Sequence, residues 1–406
     1  MKIRSVTTFM PLSATPDERQ LAQLGELAAD ASAMLEEGGF EVQSTRLASS
    51  PFSEVVEGMG QKQAVQLAQD VEGLALEAGF GYLSLGPAMA EHPNSFAYIP
   101  AILGATKATF LSGALTSSEK AIVPEAIGRS AETIRALSTL EANGFANLRY
   151  AALANVPAGS PFFPAAYHAG EGVSFAFATQ AADLAVQAAS SAKSVDELSG
   201  NLTQEIEAQA NQLTEIAGAL SKRHLVHFSG IDFSLAPFPE ESDSLGHALE
   251  QLGVPRAGLS GSLTAAAILT AAIQAASFPR AGFNGLLLPP LEDAVLAKRA
   301  AEGVLSVNDL LLYSAVCGTG LDTIPLPGDA SVEALSALLM DLAALAVRLD
   351  KPLTARLMPI PGKDVGDETD FDFAYFANSR VMALEAEGLK PPLGDSSPFT
   401  IQASGE

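Results

Sequence analysis

Short runs rich in β-branched and aromatic residues alternate with longer stretches of helical period along almost the whole chain. That alternation limits the fold more than any single motif. Lys2 to Met10 reads as a strand, and Asp17 to Glu37 as the amphipathic helix behind it, closed by Gly38-Gly39. The pattern predicts further strands near Phe40 to Leu47, Gly81 to Leu85, Ala108 to Ala114, Asn147 to Ala154, Val173 to Phe177, His224 to Leu235, Phe283 to Leu288, Leu321 to Leu326 and Leu353 to Met358. Helices are expected over Ser118 to Glu141, Val195 to Ala219, Leu263 to Ala276, Ser331 to Leu349 and Asn378 to Glu387. Strands joined by helices of this length run parallel, so the chain is α/β with a mainly parallel sheet. About ten strands is an unusual number for an open doubly wound sheet. No linker and no internal repeat divides the sequence, so residues 1–390 read as one α/β domain and 391–406 as a loose polar tail.

Composition narrows the function classes. Of 406 residues, 48% are apolar and 17% charged, enough for a large core and far from the signature of disorder. Lys and Arg total 23 against 47 Asp and Glu, a formal charge of −24 that repels phosphate backbones and anionic lipid. Neither a nucleic-acid partner nor a membrane surface is expected. One cysteine, Cys317, excludes an intramolecular disulfide framework and a multi-thiolate metal site within one chain. With no apolar stretch of a secretory signal behind Lys2 and Arg4, the cytoplasm is the expected compartment. The uncharged run Tyr150 to Gly170 is broken by Pro157, Pro161 and Pro164, and Ala257 to Pro279 is mostly small residues, so buried segments are expected rather than membrane spans.

Several stretches carry candidate chemistry. In Tyr313-Ser-Ala-Val-Cys-Gly-Thr-Gly-Leu-Asp322, a helical run meets a turn in which Cys317 is followed by Gly318 and Gly320. Glycine permits close backbone approach to a ligand there, and a thiol with a nearby base or cation can serve as nucleophile. A free cysteine is equally a small buried hydrophobe. Ser160-Pro-Phe-Phe-Pro-Ala-Ala-Tyr-His168 is a stiff, nearly uncharged loop in which Tyr167 and His168 are the titratable groups; His168 can act as base or donor, or sit satisfied in a structural loop. His224 and His227, three apart in an expected strand, point to opposite faces and form no metal pair. Asp232 lies near a strand end, where polar residues of parallel α/β sheets collect in the site, and in its apolar setting it needs a partner.

Arg356 lies inside the β-like run Leu353 to Met358 and can hold a carboxylate bidentately, or a structural ion pair. Lys363 follows it. Asp364, Asp367, Asp370 and Asp372 form an acidic stretch that lacks the spacing of an EF-hand; a solvated loop and a hard-cation site are both open. Gly258-Leu-Ser-Gly-Ser262 has neither the lysine of a P-loop nor the spacing of a dinucleotide fingerprint, which disfavours nucleotide binding.

Five of these stretches in order, Phe162-Phe-Pro-Ala-Ala-Tyr-His168, Phe233-Ser-Leu-Ala-Pro237, Ala315-Val-Cys-Gly-Thr-Gly-Leu-Asp-Thr-Ile-Pro-Leu-Pro-Gly-Asp329, Thr354-Ala-Arg-Leu-Met-Pro-Ile-Pro-Gly-Lys363 and Phe373-Ala-Tyr-Phe-Ala-Asn-Ser-Arg-Val-Met382, resemble the domain-of-unknown-function family seven hundred and eleven over nearly the whole chain. The resemblance implies a ten-stranded α/β barrel like that of pyruvate formate-lyase and ribonucleotide reductase, with helices outside. In those enzymes an interior cysteine relays a radical, a place that only Cys317 can take here. Their partner glycine lies in a C-terminal Arg-Val-x-Gly loop, whereas this chain has Arg380-Val-Met-Ala383, so no glycyl radical is expected.

The expectation is an enzyme acting on a small carboxylate-bearing metabolite inside the barrel. Cys317, His168, Asp232 and Asp322 would do the chemistry, and Arg356, Tyr167, Gly318, Gly320 and Lys363 would bind substrate. A non-catalytic small-molecule-binding or regulatory protein is one alternative. A metal-dependent enzyme using Asp364, Asp367 and Asp370 is another. No motif names a cofactor, and a homo-oligomer is expected from the prevalence of symmetric assemblies.

Overall fold

In the computed structural model, which describes residues 1–394 and 397–404, nine strands form one sheet in the order β7-β6-β1-β2-β3-β4-β5-β9-β8. They are β1 (Lys2–Met10), β2 (Thr45–Ser49), β3 (Tyr82–Ala88), β4 (Thr109–Ala114), β5 (Tyr150–Ala154), β6 (Ser174–Gln180), β7 (His227–Asp232), β8 (Gly320–Pro327) and β9 (Leu353–Ile360). Strands β1 to β5 are parallel, each joined to the next through helical chain. The parallel pairs β6–β7 and β8–β9 flank this block in the opposite direction, through β1–β6 and β5–β9. Six of the eight strand pairs are parallel and two antiparallel, so the sheet is mixed but mainly parallel, as expected.

One face is a continuous apolar surface. Ile3, Val6, Leu47, Leu83, Leu111 and Leu357 are buried with helix residues such as Leu27, Leu35, Ile134 and Leu342 in one cluster. Each fully buried Leu or Ile contributes roughly 1.5–3 kcal/mol. The helices begin where their caps dictate. Asp17 accepts the N–H groups of Arg19 and Gln20 ahead of Glu18–Glu37, and the helix expected from Ser118 starts instead at Pro124, where proline suits the first turn. The long helix Val195–His224 runs past its expected end and takes His224 out of the expected strand.

The opposite face is polar at its edges and is covered by the connection from β5 to β6. The hydroxyls of Ser5 and Thr7 donate to the carbonyl of Pro161, Ser84 donates to that of Ala166 at 2.7 Å, and the His168 N–H donates to Ser49 at 2.9 Å. Phe163 and Ala166 pack there with Phe9, Ala48 and Ala176. The proline-rich loop thus fills space against the inner face of the sheet.

Two expectations need correction. The expected tenth strand, Phe283 to Leu288, is no named strand. Gly282 and Asn284 take left-handed φ of 71° and 50°, which interrupts extended backbone, so the segment is tied to β7 and the residues after it by the isolated bridges Ile231↔Arg280 and Leu235↔Leu286 and by side-chain bonds at Asp232, Ser234 and Asn284 instead of by a regular ladder. The Gly318 N–H donates to Leu286 on its other side, at 3.1 Å. The described pairing is a nine-stranded ladder, and no closed ten-stranded barrel is present in it.

The helix expected over Asn378 to Glu387 is irregular chain. Its backbone bonds are made to neighbouring segments, Val381 with Gly366 and Asp367 and Met382 with Pro325, instead of within a helix. Of the tail, Phe399 pairs with Ile122, and the Ser404 N–H donates to Arg348. Asp395, Ser396, Gly405 and Glu406 of the expected loose tail lie outside the described residues.

Candidate functional site

Near the N-terminal ends of β1 to β4, side chains of the loop-covered face of the sheet line a half-open cavity of about 100 Å³. Arg4, Arg46 and Arg356 line it together with Glu292 and the aromatic rings of Tyr82, Phe110, Phe163, Phe373 and Tyr375. A few convergent polar groups within aromatic walls are the usual composition of a small-molecule site.

Glu292 is buried between two of the arginines. Its Oε1 accepts from Arg356 Nη2 and its Oε2 from Arg4 Nη2, both at 2.7 Å. Its position follows from its neighbour. Asp293 caps the helix Ala294–Ala301, accepting the N–H groups of Val295 and Leu296, and also receives Ser244 Oγ and the N–H groups of Leu245 and Gly246. Arg356 Nε donates to Asp322 Oδ1 at 2.5 Å, so Arg4, Glu292, Arg356 and Asp322 form a chain of alternating charge. Burial pushes Glu292 up, but Arg356 and Arg4 together hold it below its ordinary range. Burial, reinforced by Glu292, leaves Asp322 above its ordinary value despite Arg356. Arg356 itself is raised, because Asp322 and Glu292 outweigh its burial.

Arg46 differs from the other two. Its Nε donates to Ser44 Oγ at 2.9 Å, its guanidinium lies 5.1 Å from the Phe163 ring centre and 5.9 Å from that of Tyr82, and it makes no ion pair among the described residues. Burial and the neighbouring Arg4 lower its proton affinity to about 9, which still leaves it charged at neutral pH. Arg4 Nη1 is buried and has no hydrogen-bond partner among the described residues. Three arginines against Glu292 and Asp322 leave one formal positive charge, and the Nη groups of Arg46, Nη1 of Arg4 and Nη1 of Arg356 have no acceptor among the described residues. The arrangement can accept a small anion.

The residues expected from sequence are placed unevenly. Arg356 and Asp322 meet, as an ion pair, and Arg356 reaches the cavity. Asp322 Oδ2 has no partner among the described residues. Asp232 is buried and satisfied, accepting Ser234 Oγ and the N–H groups of Phe283 and Asn284; it fastens the interrupted segment to β7, and burial raises its carboxyl.

Cys317 does not stand on the inner face. It is 1% exposed, in the apolar layer with Leu310, Tyr313 and Leu321, and burial pushes its thiol up even though Lys351 draws it down. Gly318 and Gly320 serve chain packing. A Cβ on Gly318 would come 2.6 Å from Gly285 Cα, and one on Gly320, whose φ is 101°, 2.3 Å from the Thr354 carbonyl.

His168 and Tyr167 are away from the arginines. His168 Nε2 faces the Gly170 carbonyl at 3.0 Å, and burial lowers its pKa. Tyr167 donates to Val156 at 2.8 Å, is pushed up to about 12 by burial, and lines another cavity of about 240 Å³ with Lys120 and Asn155. Lys363 is held by the Glu368 carbonyl and Asp370, while Asp367 accepts the Asp364 N–H. The three aspartates are exposed and are not gathered; among the described residues no cluster of three His, Cys, Asp or Glu can hold a metal. His224 pairs with Asp30 at 2.7 Å.

Sequence reasoning missed Arg4, Arg46 and Glu292. The signal for the two arginines was available, because each lies inside a strand pattern just as Arg356 does. Glu292 had none, since its partners come from β1 and β9, remote in sequence.

Fold and site together define an α/β protein with a mixed sheet and an arginine-lined cavity. Among the described residues no helix is long and apolar enough to cross a membrane. The family model described as "Uncharacterised ACR (DUF711)" matches residues 1–378, and the chain belongs to that family. It is 34% identical over 380 residues to a UPF0210 protein of Pyrobaculum aerophilum, covering 87% of this chain and 83% of the relative. To a UPF0210 protein of Methanopyrus kandleri it is 30% identical over 410 residues, covering 91% and 88%. A third UPF0210 protein, of Acetivibrio thermocellus, is 30% identical over 359 residues, covering 82% and 78%.

Proposed function

We propose that the chain binds a small carboxylate-bearing metabolite in the arginine-lined cavity and acts on it there as an enzyme without glycyl radical chemistry. The observation that carries this reading is the pair of arginines at the cavity: Arg46, a half-buried charged guanidinium with no carboxylate against it, and Arg4, whose buried Nη1 has no partner among the described residues. A buried donor left without an acceptor is costly, and an anion that reaches it beside Arg46 supplies one. The cavity is smaller than the ~300–1,000 Å³ of drug-sized sites, which restricts the ligand to a compact metabolite.

In this reading the segment 280–288, held by Leu235 on one side and Gly318 on the other, serves as the tenth stave of a barrel of the pyruvate formate-lyase type. The cavity then opens into the barrel interior. Chemistry falls to Glu292 rather than to the buried thiol of Cys317. A carboxylate that engages Arg4 and Arg46 weakens the hold of Arg4 on Glu292, burial then dominates, and Glu292 gains the proton affinity of a general base.

Thermal-shift measurements with acetate, succinate and inorganic phosphate test the binding claim. Stabilisation by at least one carboxylate, rising with its concentration, is expected. No shift with any of the three would remove the basis of the proposal.

A further inference from the structure

The walls of the same cavity restrict the ligand beyond its charge. Arg46 is flanked by the rings of Phe163 and Tyr82, so its Nη groups are left to meet a carboxylate in the guanidinium plane. Behind it the rings continue. Tyr82 meets Phe110 edge-on at 5.4 Å between centres, and Phe110 meets Phe163 edge-on at 5.5 Å. Phe373 and Tyr375, from the chain after β9, also line the cavity, with ring centres 5.3 Å apart. All five rings line a cavity of about 100 Å³ together with the charged groups.

A flexible aliphatic acid needs only apolar surface. A wall built from ring faces and edges adds a directional attraction for a flat π system, whose positive edge meets ring faces and whose negative face meets ring edges. We infer that the ligand is a planar carboxylate, an aromatic acid of a single ring, seated with its carboxylate on Arg46 and Arg4 and its ring among Tyr82, Phe110 and Phe373. This inference rests on the anion-binding reading above and specifies its substrate class.

Titration calorimetry with benzoate, cyclohexanecarboxylate, acetate and inorganic phosphate separates the two. Benzoate and cyclohexanecarboxylate share charge and similar size and differ in planarity and π character. The expected result is benzoate bound about fivefold or more tightly than cyclohexanecarboxylate, the ratio that one or two added aromatic contacts provide. The partly exposed Tyr82 supplies the variant. Tyr82→Leu should bring the ratio close to one while cyclohexanecarboxylate still binds. Equal or tighter binding of cyclohexanecarboxylate, tighter binding of phosphate, or a ratio unchanged in Tyr82→Leu would overturn the aromatic assignment and leave the anion site standing. Absence of binding by all four would overturn both.

Discussion

Oε1 of Glu292 lies 2.7 Å from Nη2 of Arg356, in a pair buried on both sides, and the second oxygen of the same carboxylate holds Arg4 at the same distance. One acid on the chain just ahead of a helix thereby joins β1 to β9, two strands that are not neighbours in the sheet. Breaking a buried pair by removing one partner typically costs about 3–5 kcal/mol, because the remaining charge is stranded.

Glu292→Ala should therefore lose several kcal/mol in urea unfolding, whereas Glu292→Gln, which keeps the shape, should lose part of that. The acid limb carries a sign. The folded state holds Glu292 below its ordinary carboxylate value, so its contribution is present above the unfolded pKa of ~4.3 and is lost as pH falls through the lower folded value. In Glu292→Gln the fall in stability below about pH 4 should be shallower than in the wild type. Parallel acid limbs would contradict the ion-pair account.

Cys317 should be chemically quiet. Its thiol is buried and raised, so the thiolate that attacks alkylating reagents is scarce. Iodoacetamide labelling of native protein at neutral pH should be far slower than labelling in denaturant. Native labelling at the rate of a free thiol would return Cys317 to the list of nucleophiles.

Arg46→Met should match the wild type in unfolding free energy from urea titration or exceed it by up to about 1 kcal/mol, because it removes a charge with no ion-pair partner among the described residues and retains much of the apolar bulk against Phe163. A loss of more than that would mean that Arg46 supports the fold rather than a ligand.

Acetate binding should take up protons. If the incoming anion draws Arg4 from Glu292, the heat of binding near neutral pH should vary with the ionisation enthalpy of the buffer, and Glu292→Gln should abolish that variation. Buffer-independent heats in the wild type would detach Glu292 from the proposed proton transfer.

The sequence legibly carried the alternation of strands and helices, since hydrophobic period and caps are local. Lys2 to Met10 is β1 to the residue, and Leu353 to Met358 falls within β9. What failed was tertiary. Asn378 to Glu387 had helical spacing, but its backbone bonds to Gly366, Asp367 and Pro325 compete with a helix, and such partners leave no trace in a local window. Cys317 beside two glycines looked like a ligand turn, yet Gly318 and Gly320 are small because Gly285 and Thr354 press on them. Arg356 and Asp322 are both legible as candidates, but that they pair with each other follows only from the register of β8 against β9.

Calorimetric titration of acetate or benzoate into wild-type protein and Arg46→Met, side by side, tests the central claim most directly. A charge-assisted contact to a carboxylate is worth about 1.5–3 kcal/mol, so binding to the variant should weaken by roughly tenfold or more while its fold remains intact by circular dichroism. Equal affinity in the two proteins would contradict the assignment of Arg46 as the anion's partner.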